Sequence, residues 1–350
     1  MVEPTLQIDY RLGGKPQYSI GLKPGELMQV PPEIKKSVAF VCCNTKDGMR
    51  LAGTAFFVHL PVGGDIGGVF VYLVTAKHII DKIKETSIDQ LVYIRVNLKD
   101  RAADFIKVPM ADLKFHPEDA SVDVAVIQMP TFGDLVDIRT VPLDLMVATD
   151  EVIAEEGIDI GDEVFLVGLF SEHYGSRRNI PILRVGNIAQ MPEEPIMTSM
   201  GLMEAYLIEA RSIGGISGSP VFVHLGGIRT TFKGEAQSSK FDYAYYLLGL
   251  MHGHWDLPAP DADMLVEDIL TDERINMGIA IVVPIQKILE VINQEELVER
   301  RDRAREEQQQ NRLPTPDEAP TELTEEGFKE ALKKASRPEE AQSDEGKTET

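Results

Sequence analysis

The sequence predicts an all-β protein built from antiparallel strands. Short runs rich in β-branched, aromatic and other apolar residues recur along most of the chain, and clusters of Gly, Pro, Asp and Asn separate them. Runs spaced in this way favour antiparallel β architecture over the alternating strand and helix units of a parallel sheet. At 350 residues, 43% of them hydrophobic, the chain is long enough for a large core and for one or two domains.

The C-terminal part of the chain departs from this β pattern. Residues 284–292 place apolar side chains at helical spacing after a proline, which predicts a helix that packs on the β domain. The mixed-charge residues 295–310 can extend that helix into solvent. After residue 313 large apolar side chains are scarce, so a disordered tail is expected. Within it, residues 324–334 could form a short amphipathic helix that docks on a partner, or a transiently helical, solvated segment.

The most informative motif reads Gly-Ile-Ser-Gly-Ser-Pro-Val-Phe-Val at residues 215–223. A serine enclosed by glycines ahead of a strand is one way to hold an exposed nucleophile. The glycines permit a tight backbone path on which the N–H groups of Gly215 and Ser217 converge on the oxyanion of a tetrahedral intermediate. Losing one such donor typically costs about 2.7–4 kcal/mol of transition-state stabilisation. Taken alone, the motif could also be an ordinary turn that enters a strand.

Two further segments offer the partners that a serine nucleophile needs, a base and a group that orients the base. Residues 71–80 form an apolar, β-prone run that places His78 at a strand end. Residues 121–127 set Asp123 at the head of another apolar run, where a partly buried carboxylate needs a partner such as a histidine. Singly, His78 could be a surface or packed histidine, and Asp123 could end a turn. The three features in the order His, Asp, Ser are much harder to obtain by accident.

Together these motifs resemble those of the trypsin/chymotrypsin-like serine peptidases, most closely the HtrA-like branch. The resemblance rests on Thr75-Ala-Lys-His78, on Asp123-Val-Ala-Val126 and on the motif from Gly215 to Pro220. It covers roughly residues 36–292, and the order of the three motifs is itself diagnostic because other Ser-His-Asp folds carry them in different orders. Weaker matches to strands of the family lie at residues 53–58, 160–168, 248–253 and 278–284.

The resemblance implies two antiparallel six-stranded β-barrels that meet near residues 145–160, with the active site in the cleft between them. It assigns Ser217 as the nucleophile, His78 as general base and then acid, and Asp123 as the group that orients His78. The N–H groups of Gly215 and Ser217 would form the oxyanion hole. The implied reaction is acyl transfer through an acyl-enzyme, which requires no metal or organic cofactor. Because the first barrel supplies the base and the second the nucleophile, docking of the barrels would assemble the triad.

Three features depart from the family pattern. Ile216 stands where the family commonly has Asn or Asp, which adds bulk and removes a polar group close to the site. Gly214 precedes Gly215, and the added backbone freedom could allow an oxyanion hole that forms only when substrate or an activator arrives. The residues after 293 lack the strand pattern of a PDZ domain, which HtrA-like proteins often carry, so control by such a domain in cis is not expected.

The sequence indicates less about substrate specificity than about the type of reaction. In this superfamily the stretch before the nucleophile and the strand after it line the substrate pocket, and here they contain Arg211, His252 and His254. A basic pocket would favour Asp or Glu in the substrate. Alternatively, Arg211 points to solvent and the two histidines cap a strand. Histidines two apart on a strand share a face and could bind metal, but without a cysteine or third histidine at ligand spacing no metal site is predicted.

Composition and net charge limit the classes of partner and the cellular compartment that are expected for the protein. A formal net charge of −22 argues against general affinity for nucleic acid or anionic membrane, so protein or peptide substrates are expected, with a regulatory protein partner left open. The only cysteines, Cys42 and Cys43, are adjacent and poorly placed for a disulfide, which suits a reducing compartment. Residues 1–10 lack the pattern of a signal peptide, and the chain has no apolar run long enough to span a bilayer. A cytoplasmic location is therefore expected.

The predicted organisation has three parts: an N-terminal extension at residues 1–35, a peptidase domain at residues 36–292, and a charged helix extension with an acidic tail at residues 293–350. The predicted function is an active serine endopeptidase. One alternative is a trypsin-like fold that is catalytically silent and used for binding, or latent until a dedicated partner activates it, since a fold can outlast its chemistry. A further alternative is a protease that cuts a single dedicated partner and has no general activity.

Overall fold

The computed structural model describes residues 30–63, 67–133, 135–170, 173–198, 200–210, 216–226, 229–230, 236–237, 245–257 and 275–310. The chain divides into two compact units, residues 1–303 and 304–350. The predicted disordered tail, the amphipathic segment within it and most of the N-terminal extension lie outside the described residues, so these expectations stay predictions. No described helix is long and apolar enough to cross a membrane.

The first part of the chain forms an eight-stranded sheet, called here the first sheet. Its strands are β1 (Val38–Thr45), β2 (Gly48–Pro61), β3 (Val69–Thr75), β4 (Leu91–Val96), β5 (Asp104–Pro109), β6 (Lys114–Phe115), β7 (Ala125–Met129) and β8 (Val141–Pro142). In space they follow the order β5-β4-β1-β2-β3-β7-β6, with β8 beside β2. Every pairing is antiparallel except that of β8 with β2.

Four short helical segments of the described chain precede, connect or follow these strands. They are α1 (Pro32–Lys35), α2 (Lys77–Thr86), a 3₁₀ turn (Met110–Asp112) and α3 (Asp150–Glu156). Helix α3 begins where the Thr149 side chain accepts a hydrogen bond from a backbone N–H of the first turn, and it ends at Gly157 with φ 61°. Helix α2 starts two residues after β3, separated from it by one extended alanine, and buries an isoleucine stripe on the sheet. This arrangement brings the start of α2 to the end of β3.

The second part of the chain forms a closed six-stranded barrel, called here the closed barrel. Its strands are β9 (Glu163–Leu169), β10 (Pro181–Gln190), β13 (Tyr206–Glu209), β14 (Pro220–His224), β17 (Tyr245–Leu257) and β18 (Ile275–Pro284). Two small hairpins lie outside it, β11 (Ile196–Thr198) with β12 (Gly201–Met203), and β15 (Arg229–Thr230) with β16 (Ala236–Gln237). The order around the barrel is β10-β13-β18-β17-β14-β9. Buried aliphatic and tyrosine side chains fill the barrel, including Val164, Leu166, Tyr206, Ile208 and Leu248.

The predicted mainly antiparallel β architecture is confirmed, and one of the two six-stranded barrels is present. The first sheet differs from the prediction, because within the described residues no pairing joins its end strands β5 and β6 to close it. Strand β6 is only two residues long, and most residues of β5 are exposed to solvent. Short strands, and strands that carry charged residues and proline as β5 does, are typical of open sheet edges.

The C-terminal helix also differs from the single continuous helix predicted. It is divided into α4 (Ile285–Ile292) and α5 (Glu295–Gln310). The first part of α5 contacts the first sheet, because the buried side chain of Arg301 donates hydrogen bonds to the Tyr72 hydroxyl (2.9 Å), the Ile292 carbonyl (2.8 Å) and Asn293 Oδ1 (2.9 Å). Tyr72 belongs to β3. This part of the predicted solvent-exposed extension is therefore packed on the protein.

A loop of the closed barrel is fastened to the first sheet by a buried arginine. Arg95 on β4 is only 6% exposed. Its guanidinium donates to Asn179 Oδ1 (2.8 Å), the Gly175 carbonyl (2.9 Å) and the Ser176 carbonyl (3.1 Å), all in the segment between β9 and β10. Asn179 Nδ2 donates in return to the Arg95 carbonyl (2.7 Å). We call residues 173–180 with Arg95 the arginine clasp.

A carboxylate strengthens the same contact. Asp137 accepts from Lys36 Nζ at 2.8 Å and also pairs with Arg178, which belongs to the arginine clasp. Burial acts to raise the pKa of Asp137, but the hydrogen bonds from Lys36 and Arg178 outweigh it and hold that pKa below its usual range. The two cations come from distant parts of the chain, so Asp137 links three segments around the junction of the two halves.

Candidate active site

His78 lies in the first turn of α2 and not at the predicted strand end, because β3 ends at Thr75 and the helix begins at Lys77. Its backbone N–H donates to Asp123 Oδ1 at 2.8 Å, and its Nδ1 lies 2.6 Å from Asp123 Oδ2. The two contacts fix both the ring and the main chain of His78 against one carboxylate. The imidazole is 35% exposed, so its remaining nitrogen has access to a reactant.

Asp123 lies just before β7 and is fully buried. Burial acts to raise the pKa of this carboxyl, but hydrogen bonds from His252 and His78 outweigh it and hold the pKa below its usual range. An ionised carboxylate can only accept, so the histidine Nδ1 atoms that contact it must carry protons. A neutral His78 ring with its proton on Nδ1 has its lone pair on Nε2, the tautomer that a general base for a hydroxyl requires.

His252 contacts the same carboxylate oxygen. It lies on β17 with a side chain only 10% exposed, and its Nδ1 is 2.5 Å from Asp123 Oδ2. The rings of His78 and His252 meet edge to face, with centroids 5.3 Å apart. The ligand atoms of these three residues all lie within 4.8 Å of one another, and they are the residues at this site that could hold a metal ion.

Ser217 lies in the turn at residues 216–219 that leads into β14. The turn is closed by a hydrogen bond from the Ser219 N–H to the Ile216 carbonyl (3.1 Å). It is joined to β17 by a reciprocal pair, Gly218 N–H to the Met251 carbonyl (2.8 Å) and Met251 N–H to the Ser219 carbonyl (2.9 Å). Met251 precedes His252, so one strand positions both the serine turn and the second histidine.

Thr54 of β2 joins the serine turn to the first sheet. Its N–H donates to the Ser217 carbonyl (2.9 Å), its hydroxyl accepts from the Leu169 N–H (3.2 Å), and its carbonyl accepts from the Thr75 hydroxyl (2.8 Å). Gly218 lies against the same carbonyl, with φ 82° and an imagined Cβ only 2.1 Å from Thr54 oxygen. Only glycine fits there, which gives a structural reason for the second glycine of the serine motif.

Ile216 points away from the catalytic cleft into the closed barrel. It is 1% exposed and belongs to the barrel's buried cluster. An imagined Cβ on Gly168 would lie 2.9 Å from Ile216 Cγ2, so the isoleucine occupies space that a larger residue on β9 would fill. Ile216, the apolar residue before Ser217, thus anchors the turn in the barrel core.

The predicted site residues are brought together in part. His78 and Asp123 are joined as expected, and Ser217 lies in a turn tied to β2 and to β17. Among the described residues no hydrogen bond joins Ser217 Oγ to His78. Gly215 and Arg211, predicted for the oxyanion hole and the substrate pocket, lie outside the described residues.

The two pocket histidines of β17 differ in their surroundings. His252 contacts Asp123, and sequence reasoning missed this contact. The Nδ1 of His254 is buried and has no hydrogen-bond partner among the described residues. A fully buried carboxylate needs more than one donor, which was the available signal for a further partner of Asp123, but only the pairing of the strands shows which histidine supplies it.

Comparisons with known proteins find similarity in solved structures alone. No protein-family model matches, and no curated protein matches. Among solved structures, the MamO protease domain from Magnetospirillum magneticum in its apo form is 14% identical, and the alignment covers 74% of this chain and 96% of that chain with a TM-score of 0.42. Deg5 is 16% identical over 73% of this chain and 87% of that chain, with a TM-score of 0.40.

A third similar structure is the Rv3671c protease of M. tuberculosis in an inactive form. It is 15% identical over 74% of this chain and 88% of that chain, with a TM-score of 0.37. The three similarities each cover about three quarters of this chain, at 14–16% identity.

Proposed function

We propose that the protein is a serine endopeptidase that hydrolyses peptide bonds of protein or peptide substrates through an acyl-enzyme on Ser217. The observation that carries this proposal is the double hydrogen bond of His78 to the buried Asp123 carboxylate, through backbone N–H and through Nδ1. A surface or packing histidine needs neither contact. The pair leaves His78 Nε2 free to accept a proton at a partly exposed position.

The proposed reaction follows from these groups. The proton of the Ser217 hydroxyl moves to His78 Nε2 while Oγ bonds to the carbonyl carbon of the scissile peptide. The resulting oxyanion is stabilised by the N–H groups of Gly215 and Ser217, and its collapse breaks the C–N bond as His78 returns the proton to the leaving amine. Water then attacks the ester with His78 as base again, which releases the acid and restores Ser217. No metal or organic cofactor takes part in these steps.

The fold places these groups on separate structures. His78 and Asp123 come from the first sheet and its helix, whereas Ser217 enters the closed barrel. The bond from Thr54 to the Ser217 carbonyl holds the serine turn against the first sheet. Docking of the two halves therefore supports assembly of the three groups, as in other sites built between packed units.

Fluorophosphonate labelling of the full-length protein tests the proposal. We expect covalent labelling of the wild type, its loss in Ser217→Ala and its near loss in His78→Ala. Ser219→Ala is the matched control, because Ser219 lies two residues away and its buried Oγ has no hydrogen-bond partner among the described residues. That variant should retain labelling. Labelling that persists in Ser217→Ala, or is equal in His78→Ala and wild type, would contradict the assignment.

A second candidate function is a latent or silent trypsin-like module that a dedicated partner activates. The observation in its favour is that no hydrogen bond joins Ser217 to His78 among the described residues. A folded wild-type protein that resists labelling alone and becomes labelled with a native partner would indicate latency. Cleavage of one native partner with no cleavage of casein would instead indicate a dedicated protease.

We also propose a cytoplasmic location. Cys42 and Cys43 are both free and buried. Burial raises the pKa of the Cys42 thiol to about 12, so this thiol stays protonated at neutral pH and reacts slowly. Two buried, unpaired thiols suit a reducing compartment. Fractionation of the producing cell with a tagged protein checks this expectation, and recovery outside the cytoplasm would refute it.

A further inference from the structure

The Asp123 carboxylate is contacted by two imidazoles, although acyl transfer needs only one. His78 and His252 both direct Nδ1 at Oδ2, at 2.6 and 2.5 Å. A hydroxyl or an amide on β17 could satisfy the same oxygen with a single hydrogen bond. The second imidazole therefore brings a donor atom with its own coordination chemistry to a position where hydrogen bonding alone does not require one.

The three groups form a set that divalent transition metals favour. Two imidazole nitrogens and one carboxylate oxygen lie within 4.8 Å of one another. Imidazole suits zinc, copper, nickel and iron, and zinc sites with three protein ligands keep a fourth position for solvent. The carboxylate supplies a negative charge that partly compensates the ion, and it is fully buried, so it does not belong to the exposed acidic surface.

We propose that His78, Asp123 and His252 form a binding site for Zn²⁺, and that zinc bound there blocks the hydrolase. The binding site itself stands on the donor geometry; the block rests on the function proposed for Ser217. Ligands about 2.0–2.2 Å from a tetrahedral zinc lie about 3.4 Å from each other. The two N–O distances, now 2.6 and 2.5 Å, would each widen by less than about 1 Å, a change that side-chain rotation on α2 and β17 can supply.

Metal binding and proton transfer use the two nitrogens of His78 in opposite ways. With Asp123 ionised, the neutral ring carries its proton on Nδ1 and offers the Nε2 lone pair to Ser217. Zinc at Nδ1 binds through the lone pair of Nδ1 itself, so the Nδ1 proton must leave to solvent, and the neutral ring takes a proton from solvent on Nε2. The ring stays neutral and no electron is transferred. A protonated Nε2 cannot accept the serine proton, so the metal-bound state lacks the general base.

The path for the ion runs past His78. Its side chain is 35% exposed, whereas those of Asp123 and His252 are 0% and 10% exposed. An ion can thus reach the cluster from the side at which substrate must approach His78. Bound substrate would obstruct that path, and we expect substrate and zinc to compete.

Isothermal titration of Zn²⁺ into chelator-treated, full-length protein tests the site. We expect one saturable site in the wild type and in Ser217→Ala, which keeps every proposed ligand and needs no activity. His252→Asn should bind more than about tenfold more weakly, since even second-shell changes cost about 10–100-fold at metal sites. His254→Asn is the matched control, an imidazole two residues along the same strand, and should bind zinc as the wild type does. His252→Ser provides a second variant in case the amide disturbs folding.

The outcomes separate the site from the enzyme function. Two results would overturn the site: no saturable zinc binding in the wild type, or equal zinc binding by the wild type, His252→Asn and His252→Ser. Weak zinc binding to the acidic surface is common to all variants and does not distinguish them. If the site holds, micromolar Zn²⁺ should slow fluorophosphonate labelling of the wild type, and a chelator should restore it. Labelling unaffected by zinc in a protein that binds it would overturn the block. A wild type that never labels counts against the proposed function alone, because titration reports on binding without it.

Discussion

Replacing Arg95 should destabilise the contact between the first sheet and the closed barrel more than replacing a surface arginine does. We consider Arg95→Leu, which keeps an apolar stem and removes all the guanidinium hydrogen bonds of the arginine clasp. A hydrogen bond to a charged group contributes about 1.5–3 kcal/mol to stability. Water can rehydrate the carbonyls of half-buried Gly175 and exposed Ser176, but Asn179 is only 5% exposed and its Oδ1 would lose its donor in a buried place.

We therefore expect Arg95→Leu to lower the free energy of unfolding by about 3 kcal/mol, close to one full buried bond and part of two others. Chemical denaturation followed by fluorescence measures this loss. Arg50→Leu on β2 is the control, since Arg50 is exposed and its substitution should stay within about 0.5 kcal/mol of wild type. Arg95→Lys should recover only part of the loss, because an ammonium cannot reach the spread of acceptors that a guanidinium fork does.

The same variant tests whether docking of the halves assembles the active site. Arg95 belongs to neither the serine turn nor the His78 pair, yet its loss should slow fluorophosphonate labelling while the protein remains folded. A loss of stability below about 1 kcal/mol, close to the typical effect of a point mutation, would refute the reasoning that the clasp stabilises the junction. If a clearly destabilised variant is labelled at the wild-type rate, the proposed link between the arginine clasp and catalysis is refuted.

Three further changes test other contacts. Gly218→Ala should abolish labelling and destabilise the fold, because its Cβ would lie 2.1 Å from the Thr54 carbonyl at a φ of 82°; recovery of a folded, active variant would contradict this. Asp137→Asn should cost stability by an amount that is constant above about pH 5 and shrinks below about pH 4, since a carboxyl whose pKa is lowered in the fold stabilises only while it is ionised. Denaturation curves across this pH range measure the difference in unfolding free energy between the wild type and Asp137→Asn. A difference that grows as the pH falls would contradict the prediction. Arg301→Leu should free α5 and expose Tyr72, seen as faster proteolysis in α5, and unchanged cleavage would argue against the anchor.

Local patterns predicted the contact between His78 and Asp123 but not the further contact with His252. The positions of His78, Asp123 and Ser217 followed from short motifs, because each residue borders a strand or a tight turn that its neighbours in sequence specify. The contact of His252 with Asp123 depends instead on how β17 pairs with β14 and how the two halves dock. Such register is set by contacts between residues far apart in the chain, which no local pattern contains.

The same distinction applies to the fold. The spacing of apolar residues, together with the turn residues, predicted antiparallel strands and the helix after residue 284. They did not predict that the first sheet stays open among the described residues, or that a break divides the C-terminal helix at Asn293. Ile216 is instructive here, because its apolar character suggested a disturbance of the site, whereas it packs in the barrel core.

The hydrogen bonds that hold the serine turn also determine when during synthesis the turn can reach its final conformation. Its supports come from Thr54, made early, and from Met251, made after Ser217 itself. Proteins grow from the N-terminus at about 5–20 residues per second, so the turn lacks one of its supports until strand β17 has left the ribosome. A nascent chain therefore carries Ser217 for some seconds without its final hydrogen bonds, and under the function proposed for Ser217 no reaction is expected before β17 is in place.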